Sequence, residues 1–556
     1  MASHPDDQEL YVGCRDMSVR FYNREQPVLH QLNVNIMQGE KVLILGPSGG
    51  GKSTLLWVLA GIIPEHQEAE LSGDVFRQPA CGVMFQDPDS QFCMLRVDEE
   101  IAFSLENRSV PRAEMDHIID EVMQRVGLRV DRHTYIETLS GGMKQRLALA
   151  CLLALEPEVL FFDEPTAQLD PASRRDIFAL LEGLGQEKRH TMIVVEHVLD
   201  GCVEWMDRVI LLDAHGQLIA DGAPAQIMTQ YRTQMEAAGI WLPRLFPYRW
   251  EDVCSNPAHP LALELTRQLE FRINSNSADS HPVKRSSEAP LSQPRQTDVT
   301  KMTAPILQTH RLNIGYGRRT VMNELNVSCQ PGEWVAIVGE NGSGKSTFLK
   351  SLLRLEPALS GNILFQGKEL RKWYDRDLYD EAGFVFQNPE LQFVTDMVYD
   401  EIAFGGRQRG WDEMQIDEKT MQLLHEFGLE DSADEHPFTL SLGQKRRLSV
   451  ATMLLFDQKL LLLDEPTFGQ DARTSAELVH RLQERQQQGT TIVMVTHDME
   501  LVDDYADRVL LFSNGGIAYD GPPAGLFLHP HLLRDSSIIP PLCYQLHTER
   551  KERHVI

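Results

Sequence analysis

The stretch GPSGGGKST, Gly46 to Thr54, returns later as GENGSGKST, Gly339 to Thr347. Four further stretches recur in the same order. FQDPDSQF from Phe85 is answered by FQNPELQF from Phe386, and LSGGMKQR from Leu139 by LSLGQKRR from Leu440. FFDEPT from Phe161 is answered by LLDEPT from Leu462, and VVEH ending at His197 by VTH ending at His497. The pairs Gln86/Gln387, Ser140/Ser441 and Asp163/Asp464 are each 301 positions apart, whereas Lys52/Lys345 are 293 apart. The second copy therefore gains eight residues between its lysine and its Phe-Gln stretch, placed here in Gly367 to Asp377. Ordered repetition of this kind excludes two unrelated domains: the chain is one unit written twice.

Each copy reads as α/β. KVLIL (Lys41 to Leu45), WVAIV (Trp334 to Val338), VLFFD, LLLLD, MIVVEH and TIVMVTH are apolar, partly β-branched runs of the kind that form buried strands. Helical patterns such as MKQRLALACLLAL lie between them. Alternating strands and helices predict a mainly parallel sheet in each copy. Residues 274–305 contain no aromatic residue and are rich in Ser and Pro, which predicts a flexible tether. PLALELTRQLEFRI, just before it, reads as a helix capping the first copy. The expected organisation is a first domain at 8–250, a helical cap and linker at 251–304, a second domain at 305–540 and a polar tail at 541–556.

Composition narrows the setting. Among 556 residues no run is long and apolar enough to span a bilayer, and the first residues lack the basic flank and apolar core of a secretory signal. The eight cysteines form no CxxC pair, so a disulfide or zinc framework is not expected and a reduced, cytoplasmic protein is. The net charge of −28 gives no general attraction to nucleic acid or anionic lipid.

The repeated motifs carry phosphate chemistry. Gly46, Pro47, Ser48, Gly49, Gly50, Gly51, Lys52, Ser53 and Thr54 fit GxxxxGK[ST] on a strand-to-helix turn. Gly339, Glu340, Asn341, Gly342, Ser343, Gly344, Lys345, Ser346 and Thr347 repeat it. Such a loop wraps backbone N–H groups around phosphate at the positive end of a helix. Lys52 and Lys345 are expected to reach the β/γ-phosphates of ATP, and Ser53 and Ser346 to ligate Mg²⁺. Asp163-Glu164 and Asp464-Glu465 end very apolar strands, which brings carboxylates to the mouth of the sheet. Each Asp is expected to hold Mg²⁺ and each Glu to act on the attacking water. His197 and His497 follow further strands and are expected to clamp the γ-phosphate.

Together these motifs resemble the ATP-binding cassette (ABC) family: Walker A, Q-loop glutamine, LSGGQ-like signature, Walker B with Glu, and switch His. The resemblance implies two P-loop ATPase domains with helical subdomains, pairing head to tail around two ATP molecules. It implies that Gln86 and Gln387 act as Q-loop residues near the metal and the hydrolytic centre. It implies also that Ser140 and Gly142, and Ser441 and Gly443, approach the γ-phosphate. Tyr316 is expected to stack on adenine in the second copy; the first copy offers Phe21 or Tyr22. Both signatures depart from LSGGQ, with Met143 for Gln in one copy and Leu442 for the first Gly in the other. The expectation is therefore two hydrolytic sites of unequal rate, the slower one using the first copy's Walker A because Leu442 lacks glycine's flexibility.

The same engine serves transporters, tandem translation factors and repair or recycling ATPases. The last two groups carry cysteine clusters or a long charged linker, which this chain lacks. DPDSQF and NPELQF, followed by DEEIAF and YDEIAF, resemble the ATPases of energy-coupling-factor (ECF) importers. Pro88 and Pro389 suit the first turn of a short helix, with Asp87 and Asn388 as N-caps. That helix would dock, through Gln91 and Gln392, on transmembrane partners. The resemblance implies an integral coupling subunit, a small substrate-binding membrane protein, and a peripheral place on the cytoplasmic face of the inner membrane. Sugar-type importers and soluble tandem cassettes are the alternatives. Vitamins and cobalt or nickel are plausible cargo classes, unranked by the residues.

Overall fold

The computed structural model describes residues 10–22, 24, 26–77, 80–167, 169–187, 190–277, 304–317 and 319–554. The chain divides into two compact units, Met1–Arg249 with Gly469–Ser475, and Trp250–Phe468 with Ala476–Ile556. The stretch read as a tether falls largely at 278–303, outside the described residues.

Each unit is built on a six-stranded sheet. In the first the order is Cys81–Met84, Val159–Asp163, Thr191–Val195, Lys41–Leu45, Arg208–Leu212 and Leu218–Gly222, all parallel except the last. The second has the same order, from Ala382–Val385 through Leu460–Asp464, Thr491–Val495, Trp334–Gly339 and Arg508–Ser513 to the antiparallel Gly516–Gly521. Val159–Asp163 and Leu460–Asp464 are buried along their whole length, because helices cover both faces of the sheet. A smaller antiparallel sheet packs beside each, around Leu10–Arg20 and around Leu307–Tyr316. A layer of helices completes each unit: Val97–Asn107, Arg112–Arg125 and Gly141–Ala154 in the first, Val398–Arg409, Glu413–Glu426 and Leu442–Leu454 in the second.

Parallel strands place their C-terminal ends along one edge. Asp163 pairs with Val195 across one ladder, Ile44 pairs with Val195 across the next, and Met84 pairs with Phe162. That register brings the starts of four loops together: the phosphate loop, the Phe-Gln stretch, the acidic pair and the histidine.

The residue gain in the second copy has a structural counterpart. Between Phe365 and Ala382 lie the short strand Lys368–Glu369 and the helix Asp375–Glu381, where the first copy passes directly from Arg77 to Cys81.

Two sequence expectations are corrected. The helix Pro260–Ser277 does not cap the first copy; it belongs to the second unit. Its Ala262, Leu265 and Leu269 need an apolar surface, and they share a core with Phe527, Tyr544 and Leu546. Arg272 adds ion pairs to Asp503 and, at 2.8 Å, to Asp504. Nor is the segment read as a polar tail polar throughout: Leu542–His554 is a helix with Cys543, Tyr544 and Leu546 buried in that same core. Its charged C-terminal half, TERKERH, disguised the apolar half before it.

Candidate functional site

In the first unit the phosphate loop ends at Gly51, with φ 82°, and the helix Lys52–Ala60 starts there with no side-chain cap. The helix N–H groups are therefore left for an anion. Gly51 is fixed by packing as well as by φ: a Cβ there would meet Leu29 Cδ2 at 2.6 Å. Gly344, with φ 99°, does the same for Lys345–Leu352. Lys52 Nζ donates to the carbonyls of Gly46 and Pro47, each at 2.9 Å, and Lys345 Nζ to those of Gly339 and Glu340, each at 2.8 Å. Burial pushes the Lys52 pKa down, against the opposing pull of Glu164 and Asp163. A buried ammonium in this position favours an incoming polyanion, which would restore its charge partner.

Ser53 Oγ donates to Asp163 Oδ1 at 2.8 Å, and Ser346 Oγ to Asp464 Oδ1 at 3.0 Å. Burial pushes each aspartate up to about 6, with the serine hydrogen bond opposing it. Paired hard oxygens, one on a buried carboxylate that a counter-charge would stabilise, suit a small divalent cation. Residues and chemistry thus fit Mg²⁺ in both units.

The following glutamates sit in left-handed backbone, φ 49° at Glu164 and 51° at Glu465. For a non-glycine residue this costs about 1–3 kcal/mol. His197 Nε2 lies 2.8 Å from Glu164 Oε1, and His497 Nε2 lies 3.0 Å from Glu465 Oε1. Burial pushes Glu164 up, but the hydrogen bond and charge of His197, with the charge of Lys52, outweigh it and hold the carboxyl below its ordinary value. Gln86 Nε2 donates to Glu164 Oε2 at 2.6 Å. Gln387 is exposed and, among the described residues, is not joined to Glu465.

Signature residues begin the helices Gly141–Ala154 and Leu442–Leu454. Ser140 accepts from Met143 N at 3.4 Å and Ser441 from Gln444 N at 3.3 Å. Gln444 returns an acceptor to Ser441 N at 3.0 Å, a full capping box; Met143 has no such atom. Gly142 and Gly443 lie in the first turns of these helices. Leu442 is the first helical residue and has no positive φ, so the glycine freedom expected to matter there is not needed by the backbone.

Tyr316 is exposed, with its hydroxyl 2.9 Å from Thr347 Oγ1 at the phosphate loop. In the first unit Phe21 packs against the core and Tyr22 is 69% exposed. The structure therefore separates two candidates that spacing left open.

The octapeptides form the short helices Pro88–Ser90 and Pro389–Leu391, with Asp87 accepting from Asp89 N at 3.1 Å and Asn388 from Glu390 N at 3.0 Å. Lys144 reaches Asp89 at 2.7 Å and Lys445 reaches Glu390 at 2.5 Å, tying each short helix to the signature helix. Gln91 and Gln392, expected to face a partner, turn inward. Gln91 donates to Val83 O at 3.2 Å, and Gln392 donates to Ser449 O at 2.9 Å. The exposed side chains are apolar neighbours: Leu95 at 72%, Leu391 at 68% and Val394 at 65%.

Sequence reasoning missed what braces these segments. Buried Glu100 Oε2 accepts from Cys93 N at 2.9 Å and Met94 N at 2.7 Å. Buried Glu401 Oε2 accepts from Val394 N at 2.9 Å and Thr395 N at 2.8 Å. The repeated Glu-Ile-Ala-Phe was the available signal. It missed Glu196 as well, a buried carboxyl that accepts from Thr166 Oγ1 at 2.6 Å.

The ABC transporter family pattern matches residues 29–167 and 322–468. A Bacillus subtilis (strain 168) protein with the provisional name HMP/thiamine import ATP-binding protein YkoD is 40% identical over 544 residues, covering 95% of each chain. Proteins of Methanosarcina mazei and Methanosarcina acetivorans, provisionally named ABC transporter ATP-binding proteins, are 32% and 34% identical, covering 97% and 96% of this chain and 93% and 90% of their own. The solved cbiO1 of Clostridium perfringens, described as part of the ABC transporter complex cbiONQ, aligns at TM-score 0.38 and 31% identity, over 44% of this chain and 100% of its own.

Proposed function

This chain belongs to the ABC transporter family, and from that premise we propose that it is the energy-coupling ATPase of an ECF-type importer, hydrolysing ATP in both cassettes. The phosphate loops bind the ATP phosphates through backbone N–H groups, with Lys52 and Lys345 leaving their loop carbonyls for phosphate oxygens. Ser53 with Asp163, and Ser346 with Asp464, hold Mg²⁺, near which Gln86 and Gln387 act. A bound magnesium ion offsets charge on the phosphates. Glu164 and Glu465 orient the attacking water and draw on its proton, and His197 and His497 hold the carboxylate and the γ-phosphate in register. Ser140, Gly142, Ser441 and Gly443 supply the signature contacts to ATP, and Tyr22 and Tyr316 stack on adenine.

One observation carries the coupling role. In both copies the stretch that begins with the Q-loop glutamine leads, within ten residues, to exposed apolar side chains beside main chain held by a buried glutamate: Leu95 next to the Met94 N–H on Glu100, and Leu391 and Val394 at the segment whose Val394 N–H meets Glu401. No helix of the described residues is long and apolar enough to cross a membrane, which is in keeping with a channel on other chains. These faces dock on an integral coupling subunit at the cytoplasmic side of the membrane, and a small membrane protein selects the cargo. The name of the 40%-identical relative makes HMP/thiamine the cargo to test first.

Two measurements test the proposal. Glu164→Gln with Glu465→Gln is expected to abolish ATP turnover; turnover at the wild-type level would refute the hydrolytic assignment. Leu95→Asp with Leu391→Asp is expected to release the chain from membranes containing its co-expressed partners while leaving its own ATPase intact. Co-sedimentation of wild type with ribosomes, and none with membranes, would replace the importer reading by the translation-factor one.

A further inference from the structure

The two signature helices differ at several buried positions, and at one of them only the second cassette carries a charge. Arg446 lies in Leu442–Leu454, and the matching residue of Gly141–Ala154 is Gln145. Arg446 is 6% exposed and donates from Nη1 to the main-chain oxygen of Glu465 at 2.8 Å. Its Cζ lies 5.5 Å from the centre of the Phe468 ring, and Phe468 N donates to the same Glu465 carbonyl at 3.3 Å. Gln145 is fully buried, and neither of its amide atoms has a hydrogen-bond partner among the described residues. The Glu164 carbonyl accepts from Ala167 N at 3.1 Å, and the buried Gln145 amide does not reach it.

We propose that Arg446 is a positioning residue for Glu465. It holds the left-handed peptide that aims the carboxylate, a restraint the first cassette lacks. The proposal rests on the reading of Glu465 as the hydrolytic carboxylate. Three features support a role beyond filling space. The donor meets the carbonyl of the residue whose backbone is strained. The guanidinium faces the acidic pair: burial pushes its pKa down to about 10, with the charges of Glu465 and Asp464 opposing, so it stays ionised at neutral pH. A guanidinium carries several donors in one rigid plane, so one side chain bonds the carbonyl and lies against Phe468 together. The first cassette restrains its glutamate differently, through Gln86 on the carboxylate itself. Beyond the histidine that each carboxylate meets, the two glutamates thus differ in their further partner: Gln86 at the carboxylate in one, Arg446 at the backbone in the other.

The test is a double-mutant cycle on the full chain, reading ATP turnover of wild type, Arg446→Gln, Glu465→Gln and the double variant. Arg446→Gln installs the first cassette's own residue, so the fold has a precedent for it. We expect kcat to fall roughly ten- to a hundredfold at the second site with KM for ATP unchanged. No further loss is expected once Glu465 is already Gln. Amide exchange of the peptide spanning Glu465 to Phe468 should quicken, and that of Glu164 to Ala167 should not. An unchanged kcat, an equal loss in both backgrounds, or a rise in KM alone would overturn the proposal, as would unchanged exchange at Glu465. If Arg446→Gln melts early, Arg446→Lys, which keeps the charge, must recover part of the lost kcat. Wild-type turnover by Glu465→Gln would instead refute the hydrolytic reading, and the exchange data would still report on whether Arg446 holds the peptide.

Discussion

Gln86 donates from Nε2 to Oε2 of Glu164 at 2.6 Å, while the matching Gln387 stands exposed and away from Glu465. In the first cassette Gln86 is therefore joined to the carboxylate proposed to act in hydrolysis. Replacing Gln86 by Ala frees one oxygen of Glu164. Initial ATPase rates should fall roughly tenfold for Gln86→Ala and by less for Gln387→Ala. Equal losses would show that the contact has no part in turnover.

Glu196 gives the first cassette a pH dependence that the second, with Thr496 in that place, lacks. Burial pushes its carboxyl from 4.5 to about 7, and the hydrogen bond from Thr166 opposes only part of that. The shift is upward, so the native state keeps a proton that the unfolded chain has released. The stabilisation is complete below about pH 4.5, declines as pH rises, and is lost above about 7. Its size is on the order of 3 kcal/mol. Glu196→Gln should flatten this slope and leave the first cassette more stable than wild type at pH 8. Urea midpoints from pH 5 to 8 measure it; parallel curves for the two proteins would contradict the assignment.

Glu100 and Glu401 each close two part-buried main-chain donors beside the faces proposed to dock. Glu401→Ala strands both donors, at a cost of about 1–3 kcal/mol each. The expected phenotype is a lower melting temperature for the second unit and faster amide exchange at Val394 and Thr395. Transport should fall more than basal ATPase, because the phosphate loop is built on other strands. A uniform loss of both would argue against a role confined to docking.

Adenine recognition in the first cassette separates along Phe21 and Tyr22. Tyr22→Ala should raise KM for ATP several-fold with the melting temperature held, since its ring is exposed. Phe21→Ala removes a ring packed on the core and should cost about 2 kcal/mol of stability with a smaller change in KM. The reverse pattern in a melting and kinetic comparison would exchange the two roles.

The phosphate loops, the acidic strand ends and the histidines were legible in the chain because their chemistry is local. A glycine at positive φ, an apolar run ending in Asp-Glu, and a proline after an Asx cap each determine their own few residues. Duplication then fixed the architecture, since one α/β pattern had to fold twice. Other features depended on residues far apart in sequence. Pro260–Ser277 follows the first copy but packs with the second unit, with Leu265 in the same core as Tyr544 and Arg272 paired with Asp503. Gln91 and Gln392 turned inward because main-chain acceptors at Val83 and Ser449 lay within reach, leaving Leu95, Leu391 and Val394 as the exposed face. Arg446 and Gln145 occupy equivalent positions in the repeat, yet only packing shows that one holds a strained carbonyl and the other holds nothing. Sequence alone determined the fuel and the twofold repeat, because those follow from short-range geometry. The tertiary structure decided which groups restrain each carboxylate and which face is offered outward, because burial and partner choice are settled only when distant segments pack.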